Sequence, residues 1–170
     1  MAEAFDDDPV TRWLVPDGRP LEPLFTAHAR WAHFAPDCTD VALLDGVTVG
    51  AAFWDPPGFR VPAIRQIAAI PAYSRALGRH LGRGADVESV MHRARPAETF
   101  WYLAGVGAVR RGEGIGSALL RHRLDALTGP AYLESSKQEN IRLYERFGFE
   151  QRDPIRVPDG PELWPMWRER

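Results

Sequence analysis

The chain has 170 residues, 45% hydrophobic and 26% charged, with a formal net charge of -2, the make-up of one globular domain (1–170) large enough to bury a core. Lysines and arginines are scattered, which argues against nucleic acid as the main partner, since phosphate-backbone binding needs a basic face. Cys38 is the one cysteine, which excludes an intrachain disulfide, reads as a buried inert thiol and fits a reducing, cytoplasmic setting. No apolar run is long enough to predict a membrane span. Asp6-Asp7-Asp8 near the start is unlike a signal peptide. The five histidines lack ligand spacing among themselves or with Cys38, so no metal is expected.

In chain order, Asp8 before Pro9 predicts a capped helix start, and Pro16-Asp17-Gly18 its end. Leu21, Leu24, Phe25, His28, Trp31 and Ala32 recur at helical spacing, an amphipathic helix ending by Pro36. Its His28 and His33 read as a face bordering core or substrate. Two apolar runs, 40–44 and 47–54, flank Asp45-Gly46, a strong hairpin signal. Residues 61–95 suggest broken helices interrupted by Gly78, Gly82 and Gly84, a plausible place for a substrate lid.

Phe100-Trp101-Tyr102-Leu103 then reads as a strand running into Gly105-Val106-Gly107-Ala108. Arg110-Arg111-Gly112-Glu113-Gly114-Ile115-Gly116 follows, and a largely apolar helix from Ile115 to Leu127. On that helix Ser117, Arg121, Asp125 and Thr128 make one narrow polar stripe. Ala131 to Glu134 reads as a short strand, Gln138 to Phe147 as a helix stopped by Gly148, and Leu163 to Trp167 as a final strand. Strand, glycine loop, helix is the arrangement that aims backbone N–H groups and a helix N-terminus at a phosphate.

Three phosphate-binding patterns compete for that loop. A P-loop requires Gly-Lys-Ser/Thr, and no such lysine is present. A dinucleotide fingerprint requires a third glycine where Ser117 stands, and no second mononucleotide half follows. The pattern R-x-x-G-x-G, carried by Arg111, Gly114 and Gly116, remains. There small residues let the backbone wrap a pyrophosphate.

One strand later comes Asn140-Ile141-Arg142-Leu143-Tyr144-Glu145-Arg146-Phe147-Gly148-Phe149. With V-x-x-x-x-R-G-x-G-I-G over Val106 to Gly116, this N-x-x-x-Y-x-x-x-G-F segment resembles the GNAT superfamily of N-acetyltransferases, most strongly over the C-terminal half. More narrowly the chain is similar to the puromycin N-acetyltransferase branch, through Trp101-Tyr102-Leu103-Ala104, Leu133-Glu134-Ser135 and the tail Val157-Pro158-Asp159-Gly160-Pro161 with Trp164.

The resemblance implies an α+β fold with a mixed sheet, the GNAT acyl-CoA N-acyltransferase fold, and acetyl-CoA as cosubstrate. It implies pantetheine pairing by the strand at Val106, Gly107 and Ala108. It implies pyrophosphate binding by amides of Arg111, Gly112, Glu113, Gly114, Ile115, Gly116 and Ser117, a pantetheine hydrogen bond from Asn140, and Tyr144 near the sulfur. Independently, Asn140 and Tyr144 are four apart and share a helix face, and a phenol beside a leaving thiolate suits a general acid. For the base the candidates are Glu134, Glu98 and His92, with Glu134 preferred for its place at a strand end.

The expected reaction is acetyl transfer to a primary amine of a small molecule in a ternary complex. Trp31, Phe34, Trp54 and Phe59 would suit a bulky or aromatic acceptor, although core packing explains them equally. A non-catalytic acyl-CoA sensor and a peptide or protein N-acetyltransferase are the alternatives. Members of this superfamily usually open with a strand, whereas this chain opens at the helix. Either that strand lies upstream or the sheet has lost an edge strand, and an uncovered edge invites a homodimer.

Overall fold

Asp45 and Gly46 both adopt left-handed φ, 51° and 77°, which a two-residue hairpin turn of type I′ requires. They join strand β1 (Thr39–Leu44) to β2 (Val47–Asp55) as the sequence pattern predicts. The computed structural model describes residues 1–169. The remaining strands are β3 (Trp101–Ala108), β4 (Ala131–Ser135), β5 (Glu150–Gln151), β6 (Ile155–Arg156) and β7 (Glu162–Arg168). They complete a seven-stranded sheet in the order β1-β2-β3-β4-β7-β5, with β6 paired to β7. Among the described residues only β3 and β4 pair in parallel. The crossover between them is helix α5 (Ile115–Leu124), as a parallel pair requires. The fold is mixed α+β, as expected.

Registry separates the two faces of the sheet. Trp54, Leu103, Leu133 and Met166 are cross-strand partners in one row and are almost fully buried. They pack with Leu119, Leu120 and Leu124 of α5 and with Ile141 and Tyr144. Each such aliphatic side chain contributes roughly 1.5–3 kcal/mol by burial. The neighbouring row, Asp55, Tyr102, Tyr132 and Trp167, points to the opposite face because strand side chains alternate.

The helical layer on that second face includes α1 (Pro9–Leu14), α2 (Glu22–Ala27), α3 (Ala63–Leu77) and α4 (Leu81–Ala94). Asp8 caps α1 as predicted, accepting from Thr11 N at 2.8 Å. The expectation of broken helices over 61–95 is corrected at two glycines. Gly78, with φ 53°, ends α3, but Gly82 and Gly84 lie inside α4. At Gly84 a Cβ would sit 2.9 Å from Leu77 Cδ1, so the missing side chain lets α3 and α4 close on each other.

Helix α2 continues into a π-helical turn over His28–Ala32, closed by His33 N donating to His28 O at 2.9 Å. Residues five apart diverge on an α-helix but nearly align on a wider π-turn. The His28 and His33 rings therefore stack, with centroids 5.8 Å apart. Ahead of α1, Glu3–Phe5 form a 3-10 turn rather than a strand. β1 is the outermost strand on its side, and Val41 and Leu43 are exposed on it.

Candidate functional site

The pairing of β3 differs on its two edges. Toward β2 it continues to Gly50 opposite Ala108, whereas toward β4 it stops at Leu103 opposite Leu133. From Ala104 to Ala108 one edge of β3 therefore faces no strand among the described residues. A register shift lies in the same place: Phe53 faces Gly105 and Trp54 faces Leu103, so Ala104 is the extra residue of a β-bulge. Such bulges re-aim the local backbone and are frequent beside functional sites. Val106 and Ala108 thus carry backbone groups on an open edge, where an extended chain can add like a strand, whereas the Gly107 carbonyl faces β2.

The loop after this edge is shaped by two glycines. Gly112 and Gly114 have φ of 81° and 76°, a conformation strained for other residues. Gly114 is the N-cap of α5, whose first N–H groups have no partner within the helix. A Cβ at Gly112, Gly114 or Gly116 would meet no atom within 4 Å, so the loop bounds open space. The Ile115 side chain packs against the core, which anchors the first turn of α5 while its backbone borders the cleft. Glu113 pairs with Arg110 at 3.8 Å on the surface.

Positive charge converges on this space. Arg111 hydrogen-bonds Asp7, and Lys137, just past β4, places Nζ 2.6 Å from the same carboxylate. The Arg111 and Lys137 partners hold the Asp7 carboxyl well below the usual carboxylate range. A carboxylate thus bridges the glycine loop and the end of β4, the chemistry of an anion site. The same N-terminal segment lies on β3 itself: a Cβ at Gly107 would be 2.8 Å from Ala4 Cβ and 2.9 Å from Phe5 Cε2. Gly107 is therefore required by close approach as well as by position.

The opening between β3 and β4 belongs to a cleft of about 1910 Å³ that Asn140, Tyr144 and Glu134 all line. Asn140 ends a 3-10 turn, Gln138–Asn140, and α6 (Ile141–Glu145) carries Tyr144. The Tyr144 ring meets Phe149 edge-on with centroids 6.1 Å apart. Burial raises its phenol, so it holds its proton at neutral pH. The Tyr144 ring is part of the core, and the residue also borders the cleft.

Glu134 is not a solvated or capping carboxylate. Its side chain is 1% exposed, and burial pushes its carboxyl up to about 7, against the pull of Arg95. Arg95 Nε lies 3.5 Å from Glu134 Oε1, and neither carboxylate oxygen has a hydrogen-bond partner among the described residues. Tyr102 and Tyr132 stand beside it, both phenols raised by burial. Glu98 and His92 also border the cleft but are exposed at its rim.

Three features escape the sequence pattern. His33 donates from Nδ1 to Asp55 Oδ2 at 2.9 Å, and that pair lines the same cleft. Its neighbour His28 is pushed down to about 3 by burial and by His33, so it is neutral. Arg95 reaches Glu134 from the end of α4, and no local motif marks it. Lys137, two residues past β4, also lies outside the motifs, although a lysine so soon after the strand that parts from β3 is well placed for an anion on the glycine loop. Cys38 is free and buried, with its thiol raised by burial. No group of metal-ligating side chains occurs among the described residues, and no described helix is long and apolar enough to cross a membrane.

Residues 2–149 match the acetyltransferase (GNAT) family. Among solved structures, a histone acetyltransferase HPA2 and related acetyltransferase from Corynebacterium glutamicum is similar at 29% identity and a TM-score of 0.74, over 99% of this chain and 86% of that one. A polyamine N-acetyltransferase of Drosophila melanogaster that forms N-acetylagmatine is similar at 16% identity and a TM-score of 0.61, over 98% and 89%. A mosquito arylalkylamine N-acetyltransferase like 5b is similar at 14% identity and a TM-score of 0.57, over 98% and 89%.

Proposed function

The chain belongs to the GNAT acetyltransferase family, and on that premise we propose that it moves an acetyl group from acetyl-CoA to the primary amine of a small molecule, by direct transfer in a ternary complex. The observation that carries this reading is the free edge of β3 beyond Leu103 and Leu133, which opens beside an anion-binding loop and into a cleft bordered by the protonated Tyr144 phenol and the buried Glu134 carboxyl. Bound acetyl-CoA supplies a thioester carbon for the amine to attack.

The residues divide the work as follows. Backbone groups of Val106 and Ala108 hold the pantetheine arm, and Asn140 hydrogen-bonds it. Amides from Arg111 to Ser117, aided by Lys137, hold the pyrophosphate. N–H groups at the bulge, around Gly105 and Val106, stabilise negative charge on the thioester oxygen. Glu134, whose carboxyl titrates near neutrality, takes a proton from the ammonium so that a neutral amine attacks. Tyr144 gives its hydroxyl proton to the departing thiolate.

Trp31, Phe59 and Tyr73 line the acceptor end of the cleft, with Phe34 packed edge-on behind Phe59, and they suit an amine with an aromatic or bulky body. The puromycin N-acetyltransferase-like branch is the finer placing we propose. The polyamine and arylalkylamine enzymes of similar fold make small amines the first acceptors to try. Incubation with acetyl-CoA and a panel of amines, beginning with puromycin-like aminoacyl compounds and including diamines and peptides, tests the reading by release of free thiol. Thiol release with a small amine and a matching mass gain on that amine is expected. Acetylation of peptides alone would move the acceptor to proteins, and binding without thiol release would make the protein a sensor.

A further inference from the structure

We propose that Arg95 is a positioning residue for Glu134, tethering the proton acceptor between the end of α4 and the aromatic floor of the cleft while leaving its lone pairs free. The inference rests on the proposed role of Glu134. Arg95 is the C-cap of α4, and its guanidinium is largely buried. It lies 3.5 Å from Glu134 Oε1 through Nε and over the Tyr102 ring, with Cζ 4.4 Å from the centroid. Its Nη1 lies 3.7 Å from Glu88 Oε1.

The form of this contact decides its use. A short bidentate pair would tie up the carboxylate oxygens and hold the carboxyl far into its ionised range. Here the approach is single and long, and both oxygens of Glu134 and Nε of Arg95 lack hydrogen-bond partners. Arg95 supplies nearby positive charge without occupying the site that accepts the proton. The stack on Tyr102 fixes the guanidinium plane, and Glu88 shares its charge from α4. The groups facing Glu134 are thus Arg95 and Glu88 from the α4 side, Tyr102 from β3 and Tyr132 from β4. Burial drives Glu134 toward its neutral form, and Arg95 opposes it. Without Arg95 the burial effect loses its largest opponent, the two tyrosines opposing it less, and Glu134 deprotonates only at higher pH.

The test is the pH profile of kcat/KM for an accepted amine, measured for the wild type, Glu134→Gln, Arg95→Met, Arg95→Lys and Glu88→Gln. In Arg95→Met the acid limb moves up by about one pH unit, a loss of about tenfold on that limb, with KM for acetyl-CoA unchanged. Arg95→Lys restores most of the shift. Glu88→Gln, at an exposed carboxylate, moves the limb the other way by leaving Arg95 more fully to Glu134, and it serves if Arg95→Met does not fold. A limb that stays in place in Arg95→Met, or in Glu88→Gln should the former not fold, overturns the inference. Glu134→Gln separates the failures: a wild-type limb in that variant removes Glu134 as acceptor and the inference with it. A lost limb there with none moved by Arg95→Met removes only Arg95.

Discussion

Leu103 of β3 and Leu133 of β4 are the last partners between those two strands, although β3 continues as a strand to Ala108. Both leucines are buried in the core beneath α5. The strands are pinned together at one end by this packing and part at the other, where Gly114 caps α5. The opening is thus a consequence of where the core ends, and Tyr144 and Glu134 border it from elements anchored in that core.

Tyr144→Phe removes only the hydroxyl and leaves the ring against Phe149. We expect kcat to fall by roughly 10²-fold, at the low end of the range for one proton-transfer group, with KM for acetyl-CoA and Tm nearly unchanged. Steady-state kinetics beside a thermal melt checks this. Unchanged turnover would remove the general-acid role.

Glu134→Gln affects both rate and stability. The folded carboxyl titrates near 7, above the value of about 4.3 for an unfolded chain. Between these values the folded state holds more protons than the unfolded one, so stability falls as pH rises, by about 4 kcal/mol in total. The Gln variant lacks this dependence and should melt higher than the wild type at pH 8 but alike at pH 4. Its kcat/KM should fall by roughly 10²-fold or more, with the acid limb near pH 7 gone.

Gly107→Ala tests the close approach of the N-terminal turn. The added methyl would lie 2.8 Å from Ala4 Cβ and 2.9 Å from Phe5 Cε2, so that turn or β3 must shift, at about 1–3 kcal/mol. A lower Tm together with a raised KM for acetyl-CoA is expected. Gly116→Ala is the control: a Cβ there meets nothing within 4 Å, its φ is ordinary, and Tm should hold.

Lys137→Met should raise KM for acetyl-CoA several-fold with little change in kcat, since uniform binding is lost. The affinity of the variant should also depend less on ionic strength. Titration calorimetry with CoA at two salt concentrations measures both.

The sequence carried the five longer strands well, because each has a local marker, whereas the two-residue strands β5 and β6 have none. Asp45-Gly46 fixes the hairpin, and Gly105 to Gly116 marks the strand–loop–helix unit. The motif residues Asn140 and Tyr144 fall at the cleft as their spacing suggests. What it could not carry was set by distant contacts. Gly82 and Gly84 look like helix breakers, yet packing of α4 on Leu77 overrides their weak propensity. The π-turn at His28–Ala32 has no pattern of its own, so the pairing of His33 with Asp55 stays hidden. Arg95 and Glu134 are 39 positions apart and meet only once α4 lies across β4.

The most direct test of the account is a structure of the protein with CoA and an accepted amine. The account predicts pantetheine amides paired with Val106 and Ala108, the sulfur beside the Tyr144 hydroxyl, and the amine nitrogen in reach of Glu134 directly or through one water. A CoA sulfur outside the opening between β3 and β4, or an amine far from Glu134, would contradict it.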